Sequence, residues 1–127
     1  MLEKQGIYTC ENCRIVVEVL NGGNILSCCG KPLQKLTANT VEASKEKHIP
    51  VLDLTSGTLV KVGSAEHPME NDHYIEWIAV RTVDGKTGRK FLKAGDKPEA
   101  EFGIAADKIV ELSAYCNKHG LWSAKVR

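Results

Sequence analysis

The sequence predicts a mainly β protein in two parts: a small metal-stapled domain, then a seven-stranded antiparallel β-sandwich of immunoglobulin-like type. Three observations carry that reading. Of five cysteines, four fall before residue 30, and all four histidines fall after residue 47, so the chain is chemically split. From Ile49 onward, seven short stretches of β-forming residues alternate with turn signals, a spacing that suits a sandwich. No internal repeat, low-complexity tract or long helical periodicity interrupts them.

Residues 1–36 form the first predicted domain. Residues 16–20 and 25–27 flank Asn21-Gly22-Gly23-Asn24, and these turn residues tolerate positive φ, so a hairpin is expected across them. So short a piece buries too little surface to fold unaided and needs a staple. Residues 37–47 are polar, without sustained apolar periodicity, and read as a linker. The second domain, 48–127, has expected strands at 49–55, 58–63, 73–83, 88–94, 99–104, 108–115 and 121–126. Ala100, Phe102 and Ile104 alternate with Glu99, Glu101 and Gly103. Val110, Leu112 and Ala114 alternate with Ile109, Glu111 and Ser113, and Cys116 continues that second inward series. Mixed apolar parity over 73–83 hints at a strand covered on both faces.

Composition excludes several classes of function. With 43% hydrophobic residues the 127-residue chain has material for a core, and a net charge of +1 argues against a nucleic-acid surface or a polybasic membrane anchor. No apolar run reaches the 18 or so residues of a membrane span. The start, Met1-Leu2-Glu3-Lys4-Gln5-Gly6, lacks the basic and apolar regions of an export signal. A cytoplasmic protein is expected, and there an odd cysteine count favours metal binding or catalysis over disulfides.

The first ligand set is Cys10-x2-Cys13 with Cys28-Cys29-Gly30. Four thiolates suit tetrahedral zinc or iron, and the residues alone do not choose between them. The adjacent pair is unusual. Neighbouring residues on an extended chain point to opposite faces, so both reach one metal only if the backbone kinks. The second set is His48, His67, His73, Cys116 and His119. His67 precedes Pro68, which biases it to an extended loop, and Cys116-x2-His119 is a chelate spacing on a tight turn ending at Gly120. Five protein ligands exceed the needs of structural or catalytic zinc and leave an octahedral metal one open position. That pattern points to iron binding a small diatomic species, with the thiolate pushing electron density onto it. Amides of Asn117, Lys118 and His119 are candidates to bond the sulfur.

These residues carry a resemblance. Cys10-x2-Cys13 with Cys28-Cys29-Gly30, Glu46-Lys47-His48-Ile49-Pro50, His67-Pro68-Met69-x3-His73-Tyr74-Ile75-Glu76-Trp77-Ile78 and Cys116-Asn117-Lys118-His119-Gly120-Leu121-Trp122 occur in one chain in that order. Across almost its whole length the chain resembles desulfoferrodoxin, the two-iron superoxide reductase family. The resemblance implies two irons per chain, one in a desulforedoxin-like Fe(Cys)4 domain and one as Fe(His)4Cys, with the imidazoles equatorial and Cys116 axial. It implies one-electron reduction of superoxide to hydrogen peroxide without oxygen evolution, a rubredoxin-like external electron donor and a cytoplasmic homodimer. Glu46 would supply the carboxylate that fills the open position in the ferric resting state. Lys47 would attract the anion and orient a proton-delivering water. Without His48 beside it, Lys45-Glu46-Lys47 would read as a solvated charge run. Trp77 and Trp122 read as core aromatics, and Met69 as packing; Tyr74 and Tyr115 flank ligands without an assigned role. A non-enzymatic electron-transfer protein, a structural zinc module and a dismutase are the alternatives, separated by reactivity with superoxide, colour and oxygen evolution.

Overall fold

A computed structural model describes residues 1–55 and 57–126. The chain divides into two compact units, Met1–Thr37 and a second from Ala38 onward. In the first, β1 (Ile7–Thr9), β2 (Val16–Glu18) and β5 (Gln34–Lys35) form an antiparallel sheet in the order β2-β1-β5, while β3 (Ser27–Cys28) and β4 (Lys31–Pro32) make a separate hairpin. Its buried apolar residues are Ile7, Tyr8, Cys10 and Val19, whereas Ile15, Leu20, Ile25 and Leu26 are exposed. So thin a core leaves the need for a staple in place.

The hairpin expected across residues 21–24 does not form. β2 pairs with β1 because the tight turn through Cys10 and Cys13 brings it straight back, and a short closure costs less entropy than a longer one. The amide of Leu2 instead donates to the carbonyl of Gly23 (2.8 Å), so the glycine-rich stretch is tied to the N-terminus.

The second unit opens with α1 (Lys45–His48), a single turn, and continues through β6 (Pro50–Asp53), β7 (Leu59–Val62), β8 (Ile75–Thr82), β9 (Thr87–Phe91), β10 (Glu99–Glu101), a 3-10 turn (Ala106–Lys108), β11 (Ile109–Cys116) and β12 (Gly120–Lys125). Among the described residues these strands form two antiparallel sheets, β10-β7-β6 and β12-β11-β8-β9. The protein is thus mainly β, and every expected strand region of this unit contains an observed strand. Val60, Val62 and Ala100 from one sheet face Ile78, Val80, Leu112 and Ala114 from the other in a single buried cluster. Burying each of the larger aliphatic side chains contributes about 2 kcal/mol.

Two details depart from simple alternation. In β11 the buried residues are Ile109, Leu112, Ala114 and Cys116, not Val110. A register shift between Ile109 and Glu111 inserts a bulge, which moves side chains to the opposite face. β8 is covered on both sides: Trp77, on the face away from the core, lies under the Arg89 guanidinium (4.5 Å) and stacks with Tyr115 (5.9 Å).

Of residues 37–47, expected as a linker, Thr37 closes the first unit and 38–47 belong with the second. The Asn39 side chain exchanges hydrogen bonds with Ser123, donating to its carbonyl (3.1 Å) and accepting from its amide (2.9 Å), and the Asn39 amide donates to Leu121 O (3.0 Å). The stretch therefore runs beside β12 before it delivers α1. A polar composition concealed this, because the docking is through backbone groups and one amide side chain rather than apolar burial.

Candidate metal centres

The four N-terminal cysteines converge from two separate turns. Cys10 and Cys13 sit on the β1–β2 turn, closed by the Arg14 amide donating to Cys10 O (2.8 Å), with Arg14 at φ 66°. Cys28 and Cys29 sit at the β3–β4 hairpin, where Cys29 (φ 54°) and Gly30 (φ 77°) are both left-handed. Two consecutive positive φ values are the mark of a type I′ hairpin turn. This is the kink that the adjacent pair requires: it brings the two sulfurs to 3.7 Å. Cys13 Sγ lies 3.4 Å from Cys28 Sγ, and the four sulfurs lie within 4.8 Å of one another. All five cysteines are free. A disulfide needs about 2.05 Å, whereas the edge of a tetrahedron with metal–sulfur bonds of about 2.3 Å is about 3.8 Å. The spacing fits a metal.

Electrostatics agree. The Cys13 and Asn12 amides hold the Cys10 thiol down at about 7. Hydrogen bonding with Cys13, then with Cys10 and Cys29, pushes Cys28 up to about 12. Four sulfurs this close do not all ionise unless a cation compensates them.

In the second unit the four imidazoles form a closed square. Successive ring centroids are 4.5 Å (His48–His67), 4.8 Å (His67–His73), 5.0 Å (His73–His119) and 4.9 Å (His119–His48) apart, and the His48–His73 diagonal is 6.4 Å. Adjacent rings stand 78–87° to each other and the diagonal pair 29°. His48 comes from α1, His67 and His73 from the β7–β8 loop, and His119 from the β11–β12 turn. The loop is held at both ends: the His67 amide donates to Val62 O (3.1 Å), and Glu70 and His73 exchange backbone hydrogen bonds.

The nitrogens show what the square is for. His48 Nδ1 lies 2.6 Å from Ser44 O and His67 Nδ1 lies 2.6 Å from Pro68 O. A carbonyl only accepts, so both Nδ1 atoms carry the proton and both Nε2 atoms present lone pairs. Those two Nε2 atoms are nevertheless 3.1 Å apart, and His119 Nδ1 is 3.1 Å from His48 Nε2. His73 Nε2 is buried and has no hydrogen-bond partner. Cis nitrogens around a metal at about 2.1 Å are about 3.0 Å apart. Facing lone pairs and an orphaned buried nitrogen are what a cation resolves.

Burial holds the His67 imidazole down at about 4 and lowers His48 and His73 as well, so these three rings are neutral donors. Cys116 Sγ, fully buried, lies 4.0 Å from His119 Nδ1 and within 4.8 Å of the donor atoms of His48, His67 and His73. Burial pushes its thiol up, while the amides of His119 and Lys118 pull it the other way. The Asn117 amide donates to Tyr74 O (3.2 Å).

The remaining expected residues divide. Glu46 and Lys47 lie exposed on α1, immediately before His48. The Glu46 carbonyl accepts from the Ala65 amide (2.9 Å) and Ser64 Oγ (3.3 Å), which fixes that backbone. Met69 packs against the core, and its Sδ accepts the Ile75 amide at 3.4 Å. Trp122 is a core aromatic, fully buried, yet it also stacks on His48 at 4.8 Å and donates from Nε1 to His119 O at 3.0 Å. Nothing in an apolar strand pattern distinguishes that role from ordinary packing.

Comparison with known proteins gives concordant matches. A family model described as Desulfoferrodoxin matches residues 40–125. A desulfoferrodoxin of Syntrophotalea carbinolica is 50% identical over 127 residues, covering 98% of this chain and 99% of the relative. One from Nitratidesulfovibrio vulgaris is 51% identical over 121 residues, covering 94% of each. The crystal structure of the superoxide reductase from Treponema pallidum aligns with a TM-score of 0.75 at 34% identity, over 97% of this chain and all of that one.

Proposed function

Because the chain belongs to the desulfoferrodoxin family, we propose that it is a superoxide reductase: it transfers one electron to superoxide and releases hydrogen peroxide, with two protons taken up and no oxygen evolved. The observation that carries this reading is the closed square of four imidazoles beside the buried thiol of Cys116. His48, His67, His73, His119 and Cys116 would hold one iron, and Cys10, Cys13, Cys28 and Cys29 would hold a second. The first of these irons would supply a one-electron couple.

What the chain itself contributes can be stated residue by residue. Three neutral imidazoles keep their lone pairs directed inward through the Ser44 and Pro68 carbonyls and through burial. Cys116 adds the negative charge that favours electron donation, moderated by two amides. Lys47 supplies local positive charge, which a net charge of +1 does not provide globally, and orients a water that delivers a proton. Glu46 would supply a further carboxylate ligand to that iron.

Residues 1–36 are read as the Fe(Cys)4 domain and residues from His48 on as the reductase domain. A rubredoxin-like donor supplies the electron. The exposed Ile15, Leu20, Ile25 and Leu26 support a homodimer, and five free cysteines support a reducing cytoplasm. No helix among the described residues is long and apolar enough to cross a membrane.

Anaerobic addition of superoxide to the reduced protein tests the reading. One equivalent of peroxide per oxidised centre, without oxygen, is expected. Oxygen evolution would make the protein a dismutase, and slow reaction with superoxide would make it an electron carrier.

A further inference from the structure

We propose that Asn117 is a positioning residue that locks His73 into the imidazole square by clasping the backbone on both sides of it. Asn117 Oδ1 accepts the amide of Tyr74 (2.9 Å) and its Nδ2 donates to the carbonyl of Asp72 (3.1 Å). Its own amide donates to the Tyr74 carbonyl (3.2 Å). Asp72 and Tyr74 are the two neighbours of His73 in sequence, and Cys116 precedes Asn117 directly. One side chain therefore ties the loop that carries His73 to the turn that carries Cys116 and His119.

His73 needs such a clasp more than its partners do. His48 and His67 each anchor the ring nitrogen that faces away from the square on a backbone carbonyl, and His119 belongs to the same turn as Cys116. Neither ring nitrogen of His73 has such a carbonyl anchor, its buried Nε2 having no hydrogen-bond partner, so its ring is aimed by the backbone that bears it. That backbone leaves the reciprocal Glu70–His73 bonds and enters β8 only at Ile75. Asn117 grips the interval between them. Both halves of its amide are used, the oxygen as acceptor and the nitrogen as donor. Asparagine at this position thus sets the geometry of a ligand 44 positions earlier in the chain, without touching the metal itself.

This inference rests on the reading of the square as an iron site, and the test separates the two. The full-length iron-loaded protein is compared with N117A and N117D, with metal release to a ferrous chelator followed at each centre and pulsed EPR of the ferric state used to count coupled imidazoles. In N117A, release from the histidine centre is expected to accelerate at least tenfold and the imidazole count to fall from four towards three, with release from the cysteine centre unchanged. N117D keeps the acceptor for Tyr74 but sets an oxygen against the Asp72 carbonyl, so accelerated release is expected there too, even if the alanine variant fails to fold. Release and imidazole count equal to wild type in whichever variants fold would overturn the proposal. Failure of the wild-type chain to hold iron at the histidines would instead overturn the functional reading.

Discussion

At the scale of single residues, the identities of the ligand set were open to sequence reasoning and their atoms were not. Cysteine and histidine are few in this chain and their spacings are chelate spacings, so all nine could be named. Which nitrogen each histidine presents depends on what holds the other one. Ser44 and Pro68 do this through carbonyls, and a carbonyl leaves no mark in a sequence. His119 instead turns Nδ1 towards His48. Glu46 and Lys47 stand out only by adjacency to His48. Replacing Lys47 with alanine is expected to slow the second-order reaction with superoxide about tenfold, the low end of electrostatic steering, and to flatten its salt dependence. In the same stopped-flow series Glu46→Ala is expected to keep the fast encounter and change only the ferric spectrum. An unaltered rate in Lys47→Ala would remove that lysine from the mechanism.

Secondary-structure elements tell a different story about legibility. The strands of the sandwich are marked by alternation and turn residues, and they stand where those signals place them. The misread hairpin at residues 21–24 shows the limit. Asn-Gly-Gly-Asn has the right chemistry for a turn, but β2 had already found β1 through a shorter closure. The bulge at Ile109 likewise escapes a period-two reading, since it alters which residues are inside without altering composition. Another silent constraint is Gly63. A Cβ there would clash with the Glu46 carbonyl oxygen and sit 3.0 Å from that of Ile49, both backbone atoms flanking the turn that carries His48. Gly63→Ala is therefore expected to destabilise the fold by about 1–3 kcal/mol and to displace α1. Thermal unfolding of the metal-free protein measures the first effect. A wild-type Tm would show that the turn yields freely.

Taken as a whole molecule, the chain pairs one unit with a substantial apolar core and one without. In the first unit only Ile7, Tyr8, Cys10 and Val19 are buried among its apolar residues, and one of these is itself a ligand. The metal there replaces the missing hydrophobic free energy. Removing it with a thiol-competing chelator is expected to broaden the NMR signals of residues 1–37 into an unfolded pattern, while the sandwich stays dispersed. Retention of dispersed signals in both units would show that the cysteine site is dispensable for folding.

Cys116 occupies the same packed cluster as Leu112 and Ala114, and protein interiors at that density yield little to applied strain. A sulfur seated there is a fixed wall. The turn that bears Glu46 and Lys47 lies outside that cluster, with both side chains exposed. The donor set is thereby rooted in the sandwich core at its sulfur, while the two charged side chains next to His48 stay open to solvent.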